Sequence, residues 1–460
     1  MKKAFSLILV LVLAATFVLP LVGCGESVEK LVIYNWEEYI DESVLDDFEE
    51  YYESKTGKDI QIVYSKFDTN ETMLTKIMNG DASIDVMCPS EYAIEKLVKA
   101  DKIINVKEYF NLEVNNDKNI VSSNYQYLEN VDPIIRKKVE ETFTTLNLNE
   151  YFVPYMWGTL GILYNSLEID PNEARKLGWG LLWNSDKNSP AYNTVHGQIY
   201  MKDSIRDAYA AAVLYAKERG ILPEKYSRYT TGQLINCTEN DMLKIAEEVL
   251  RGQKSELRGY EVDFGKSDLA RGVGLVNLAW SGDAIYAIED LAEEGIELDY
   301  FTPDIGANIW FDGWVITKDS KNKEAAMEFI NYLCDPMVAL SNMLYIGYTA
   351  AVDKEVLQEN DEVMEFLSEY LAEEYESTTE EFFSSEVRYP DVNSEKFGVM
   401  QDFGEKNQTL VTTWERVKST GDNLGILLSI FGGVVAVWGV LVFIAILSKN
   451  KRKKKLVPKT

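Results

Sequence analysis

Apolar positions along this chain keep switching between a period of two and a period near 3.6. Residues 30–35 form a short apolar run of strand length. Residues 41–55 then set Val44, Leu45, Phe48, Tyr51 and Tyr52 on one helical face, with Asp41 placed to cap the start and Gly57 to end it. A strand is predicted over 60–64, a helix over 71–79 closed by Gly80, and a third strand over 84–88. Pro89 and Ser90 follow, then a helix through Lys99. The alternation returns later: extended chain over 151–165, a strand over 197–201 and a helix from about 204 to 219. Residues 271–279 lead through Trp280-Ser281-Gly282-Asp283 into another helix. Residues 308–317 are extended, and 322–333 turn Ala325, Ala326, Phe329, Ile330 and Leu333 inward. Strands alternating with helices predict an α/β fold with a parallel sheet. Residues 355–386 read as helical and so acidic that a solvated face is the simplest account. No internal repeat or low-complexity tract interrupts the pattern.

The two ends depart from it. Lys2 and Lys3 precede an apolar run ending in Leu21-Val22-Gly23-Cys24, which predicts a signal peptide over 1–23 and lipidation of the Cys24 thiol. Residues 424–447 carry no charge and exceed the roughly 20 residues a membrane helix needs. Seven basic residues between Lys449 and Lys459 follow, predicting a cytoplasmic tail over 448–460 and an extracytoplasmic body. Ser419 to Asn423 would be the linker into the membrane. One span cannot form a permease.

Between the anchors the chain is long enough for two lobes rather than one core. The chain's net charge of −29 understates the acidity of that body, since both ends are basic. Such a surface repels nucleic acid and anionic lipid and steers cations inward. With Cys24 lipidated, Cys88, Cys237 and Cys334 form an odd set without CxxC spacing, so neither a disulfide scaffold nor a zinc site is expected. The single histidine, His196, removes most histidine-based catalysis. No phosphate-binding Gly-Lys-Ser/Thr loop occurs, so an ATPase would have to be another chain.

Ligands of open α/β sheets bind beyond the C-terminal ends of strands. Those places hold Trp36, Glu38 and Tyr39; Ser90 and Tyr92; Asp203 and Asp207, four residues apart and so on one helix face if the helix includes both; Trp280 and Asp283; Trp310 and Asp312; and Tyr345 with Tyr348. A protonated amine leaving water needs carboxylates, and its methylene stem needs apolar walls. Trp and Tyr faces supply walls plus a cation–π attraction of roughly 0.5–2 kcal/mol each. Repeated carboxylate–aromatic pairs therefore point to a small organic cation. An anion binder would want arginines or free helix N-termini instead.

These residues also carry a resemblance. Tyr34-Asn35-Trp36-Glu37-Glu38-Tyr39, Asn70-Glu71-Thr72-Met73, Asp85-Val86-Met87-Cys88-Pro89-Ser90-Glu91-Tyr92 and Pro154-Tyr155-Met156-Trp157-Gly158 are similar to segments of the spermidine/putrescine-binding proteins. Asp203-Ser204-Ile205-Arg206-Asp207, Trp280-Ser281-Gly282-Asp283, Trp310-Phe311-Asp312 and Ile346-Gly347-Tyr348 continue the match in order, so that it spans about residues 28–415. The resemblance implies a two-lobed periplasmic-binding-protein fold of type II, with a ligand cleft between the lobes. Lobe 1 would take 28–150, lobe 2 151–308, and 309–418 would return to lobe 1 and add C-terminal helices. It implies polyamine capture outside the membrane and delivery to an ABC permease with its ATPase subunit, without cofactor or metal. Trp36, Glu38, Tyr39, Ser90, Tyr92, Asp203, Asp207, Trp310 and Asp312 match family binding segments, with Trp280 and Asp283 expected to grip an amine. Two departures stand out: Ser204 replaces the second of two adjacent acids found in some members, and Thr349-Ala350-Ala351 replaces a common Thr-Pro-Asn. The membrane span is outside the family pattern.

Other readings of the same residues are a receptor of this fold for another cationic or amino-acid-like solute, or for ferric iron. Iron would favour clustered Tyr and carboxylate ligands with little need of Trp walls. For an enzyme, such as a glycosidase, no acid and nucleophile are singled out.

Overall fold

The computed structural model describes residues 28–419, apart from 81, 82, 116–119, 294 and 376. The predicted leader, Cys24, the 424–447 span and the basic tail lie outside the described residues. Among the described residues no helix is long and apolar enough to cross a membrane.

The first half runs β1 (Glu29–Trp36), α1 (Ser43–Thr56), β2 (Ile60–Phe67), α2 (Asn70–Met78), β3 (Val86–Met87) and α3 (Glu91–Lys99). Helix α1 buries Val44, Leu45, Phe48 and Tyr52 and stops at Gly57, whose left-handed φ of 70° lets its N–H reach the Glu53 carbonyl. Next come β4 (Val153–Asn165), β5 (Ile199–Lys202), α4 (Ile205–Glu218), α5 (Asn240–Gln253), β6 (Leu257–Glu261), α6 (Phe264–Ala270), β7 (Val276–Trp280) and α7 (Ser281–Tyr286). Then follow β8 (Leu298–Phe301), β9 (Ala307–Ile316), α8 (Lys323–Tyr332), α9 (Pro336–Ile346) and α10 (Asn407–Ser419).

The sheet is mixed rather than parallel. Its order is β2-β1-β3-β9-β4-β7-β5-β6, with β8 on the edge of β4. β1, β2 and β3 are mutually parallel, as are β5, β6 and β7. The long strands β4 and β9 are antiparallel to each other and join the two sets. Both are buried along their whole length, as strands covered on both faces must be. β3 ends where Met87 pairs with Val315, and β7 ends where Trp280 pairs with Leu160. Between those points β4 and β9 continue as a ladder, with Trp310 opposite Gly158 and Asp312 opposite Met156. The C-terminal ends of β1 and β3 thus face those of β5 and β7 across that ladder. A cleft at this place has strand ends from both sets in its walls.

Apolar side chains fill both halves. Leu31, Ile33, Phe48, Phe329 and Ile330 belong to one cluster, and Ile199, Met201, Val213 and Leu243 to another. The acidic run differs from a purely solvated face. It forms helices Lys354–Glu359, Asp361–Glu374 and Thr379–Ser384, which bury Leu357, Val363, Leu367, Leu371, Phe382 and Phe383 in the first cluster. Its carboxylates occupy the outer side of amphipathic helices. Helix α10 lies against the second half, where Arg416 pairs with Glu247 of α5. Cys88, Cys237 and Cys334 are buried free thiols.

Candidate functional site

The cleft encloses about 880 Å³ including its open mouth. On the first half, β1 delivers Trp36 to the wall, and the turn after it holds Glu38 at a positive φ of 48°. A non-glycine residue in that region is uncommon and is held there by its surroundings. Here the Tyr155 hydroxyl donates to the Tyr39 carbonyl at 3.1 Å. The Tyr39 hydroxyl donates in turn to Asp312 Oδ2 at 2.9 Å. Ser90 begins α3, and Asn70 ties it down: the Asn70 amide donates to Ser90 Oγ at 2.9 Å and to the Tyr92 hydroxyl at 3.0 Å. The Tyr92 hydroxyl donates to Glu71 at 3.3 Å.

Two carboxylates at the base of this half are underused. Glu91 Oε2 accepts the Phe311 backbone N–H at 3.0 Å, while Glu91 Oε1 has no partner among the described residues. Asp312 Oδ1 accepts no hydrogen bond of normal geometry, although the Ser90 and Tyr39 hydroxyls both act to lower the carboxyl's pKa. Burial pushes the Glu91 carboxyl up to about 8 and the Asp312 carboxyl up to about 7, because few donors replace the water each has lost. Asp207, buried in the first turn of α4, is raised by the same desolvation, partly offset by Ser204 and Lys202. Arg206 lies over the rings of Phe403 and Tyr92, at 3.6 and 5.0 Å from their centres.

The other half is occupied by the protein's own cations. Asp283, 2% exposed in α7, accepts from Lys266 Nζ and the Tyr348 hydroxyl at Oδ1, at 3.1 and 2.9 Å, and from Lys202 Nζ at Oδ2, at 3.1 Å. Burial alone would raise this carboxyl, but Lys266 and Lys202 outweigh it and hold it at about 2. Lys202 also pairs with Glu261 at 3.1 Å and stands 4.1 Å from the centre of the Trp280 ring. Lys266 reaches across to Glu38 of the first half at 3.1 Å. Two glycines allow the close approach. A Cβ on Gly158 would fall 2.8 Å from the Trp310 ring and 2.4 Å from Ser281 Oγ; one on Gly282 would fall 2.2 Å from the Tyr348 ring.

Comparison with known proteins decides the family. The profile described as "Bacterial extracellular solute-binding protein" matches residues 44–365. The chain belongs to the bacterial extracellular solute-binding proteins. It is similar to the spermidine/putrescine-binding periplasmic protein of Salmonella typhimurium, with 27% identity over 70% of this chain and 77% of that protein. It is also similar to a putrescine-binding periplasmic protein of Pseudomonas aeruginosa, with 28% identity over 74% and 82%. Among solved structures, the spermidine/putrescine ABC transporter substrate-binding protein of Streptococcus pneumoniae aligns with TM-score 0.58 and 26% identity, over 85% of this chain and 98% of that one. The family resemblance and the two-lobed α/β architecture both stand, and the chain is a receptor for a solute rather than an enzyme.

This solute-binding protein brings most of the expected residues together. Trp36, Glu38, Tyr39, Ser90, Tyr92, Asp207, Trp280, Asp283, Trp310 and Asp312 all line the cleft. Two do not. Asp203 precedes the first turn of α4, so the expected shared helix face with Asp207 does not form. Its carboxylate turns to α10 instead, accepting from Lys418 and from the Trp414 indole, each at 3.0 Å. Tyr345 lies on the outer face of α9 and is 60% exposed. Gly347, left-handed at φ 78°, ends that helix and turns the chain inward, so Tyr348 reaches the cleft in its place. The sequence pattern also missed Lys202, Lys266, Arg206 and Glu91. Lys202 ends β5, so its place at a strand end was the available signal. Lys266 sits inside a helix after an edge strand, and no local pattern marks it.

Proposed function

We propose that this solute-binding protein captures a small aliphatic polyamine, of the putrescine or spermidine class, outside the membrane and passes it to an ABC permease driven by a separate ATPase subunit. The observation that carries this reading is the pair Glu91 and Asp312: two buried carboxylates, each with an oxygen left unpartnered among the described residues, in a cleft walled by Trp36, Tyr39, Tyr92 and Trp310. An ammonium group placed there would favour the charged forms of both carboxyls and pair with them. The aromatic faces shelter its methylenes. The relatives named for spermidine and putrescine support the same reading. Asp207, Glu71, Asp68, Glu37 and Asp263 are further acids that line the same cleft.

The lobe divisions at 150/151 and 308/309 belong to this proposal, as does retention at the membrane. Retention would come from a lipidated Cys24 and the 424–447 segment, with the 448–460 tail in the cytoplasm. The sequence pattern of the two ends supports it.

A thermal-shift series on the purified chain tests the ligand. Millimolar putrescine or spermidine is expected to raise the melting temperature, while amino acids and ferric salts are not. A response to amino acids alone, or to none of these, sinks the reading.

A further inference from the structure

We infer that Lys266 occupies one of the cleft's cation positions and so restricts the ligand to a short diamine over a longer triamine. This inference rests on the polyamine reading above. Two carboxylates facing each other from opposite halves of a cleft are where a ligand's ammonium group would sit. Glu38 and Asp283 face each other in that way, but the ammonium between them is Lys266 Nζ, 3.1 Å from each. It is a fixed part of the wall, since its side chain is only 8% exposed. The Asp283 charge is already compensated from within the protein: Lys202 donates to Oδ2, and the Tyr348 hydroxyl shares Oδ1 with Lys266. The face of Trp280 already carries the Lys202 ammonium.

Among the described residues that line the same cleft, the buried carboxylate oxygens without a partner are Glu91 Oε1 and Asp312 Oδ1. A diamine can satisfy those oxygens alone. A triamine must push its third ammonium toward Lys266, where like charges repel and the Glu38 and Asp283 carboxylates already hold the lysine's own ammonium. Specificity then comes from an internal repulsive element rather than from an extra attraction.

Lys266→Met keeps the length of the stem and removes the charge. It leaves Asp283 paired with Lys202 and Tyr348. Calorimetry on the full chain should use 1,4-diaminobutane and the triamine that extends it by one aminopropyl group. The native protein is expected to bind the diamine about tenfold or more tighter. In Lys266→Met the triamine should tighten about tenfold, with the diamine changed less than about threefold. Adding Glu38→Gln to that variant should cancel the gain, because the vacated position then loses one carboxylate. Lys266→Gln carries the same expectation should the Met variant melt early. An unchanged diamine-to-triamine ratio, or equal losses for both, overturns the inference while leaving the polyamine reading intact. No binding of either amine by the native chain overturns both.

Discussion

At the scale of single residues, Asp312 and Glu91 connect the site to pH. Their pKa values are raised to about 7 and about 8 in the ligand-free cleft because burial disfavours their charged forms. An adjacent ammonium favours those forms, so binding is expected to release protons near neutral pH and to tighten as pH rises from 6 to 8. Titrations in buffers of different ionisation enthalpy measure this directly. The linkage to folding has the opposite sign. Acids whose folded pKa is raised stabilise the ligand-free fold below their unfolded pKa of about 4, and that contribution is lost as pH rises through about 7 to 8. The ligand-free melting temperature should therefore fall from pH 5 to pH 8, and added ligand should recover more at the higher pH. Asp312→Asn should weaken binding by about tenfold or more. Asp312 and Asp283 were legible in the sequence because strand ends of an α/β sheet converge on the ligand, whereas Glu91 was missed. The partners of each carboxylate were not legible. That Asp283 is filled by two lysines depends on which side chains meet across the fold, and spacing along the chain does not encode it.

At the scale of elements, one residue decides whether a side chain enters the cleft. Asp203 and Asp207 straddle the start of α4, and a helix beginning at Ile205 sends them to different neighbours. Helix boundaries are the least legible part of a sequence, which is why Asp203 was expected in the cleft. Asp203→Asn should leave ligand affinity within about twofold, yet lower the hydrogen-exchange protection of α10, whose Trp414 and Lys418 it holds. A tenfold loss of affinity would return Asp203 to the site. Gly282 makes the complementary case. Any Cβ there meets the Tyr348 ring at 2.2 Å, so Gly282→Ala must displace Tyr348 from Asp283. It should weaken binding and lower the melting temperature while circular dichroism shows the native secondary structure. Tyr345 was expected in the cleft for a similar reason: the turn made by Gly347 moves the inward position three residues on, to Tyr348.

At the scale of the molecule, most strands and helices of the first half were legible, but α5, β6, α6 and β8 were not, and neither was the sheet. Local patterns predict parallel β-α units. They do not reveal that β4 and β9 run through both halves in opposite directions, since pairing between distant segments leaves no local mark. That arrangement sets two groups of strand ends face to face and gives the cleft walls from both. The chain's charge of −29 adds a long-range attraction for cations that salt screens. Association is expected to slow about tenfold between about 0.05 and 0.5 M salt. A polyamine is expected to sit between the halves against Asp312 and Glu91. Calorimetric titration of the native chain and of Asp312→Asn with putrescine and spermidine tests it most directly. Saturable one-to-one binding by the native chain and a loss of about tenfold or more in the variant are expected. Equal affinity in the two proteins, or no heat from either polyamine at millimolar concentration, would contradict it.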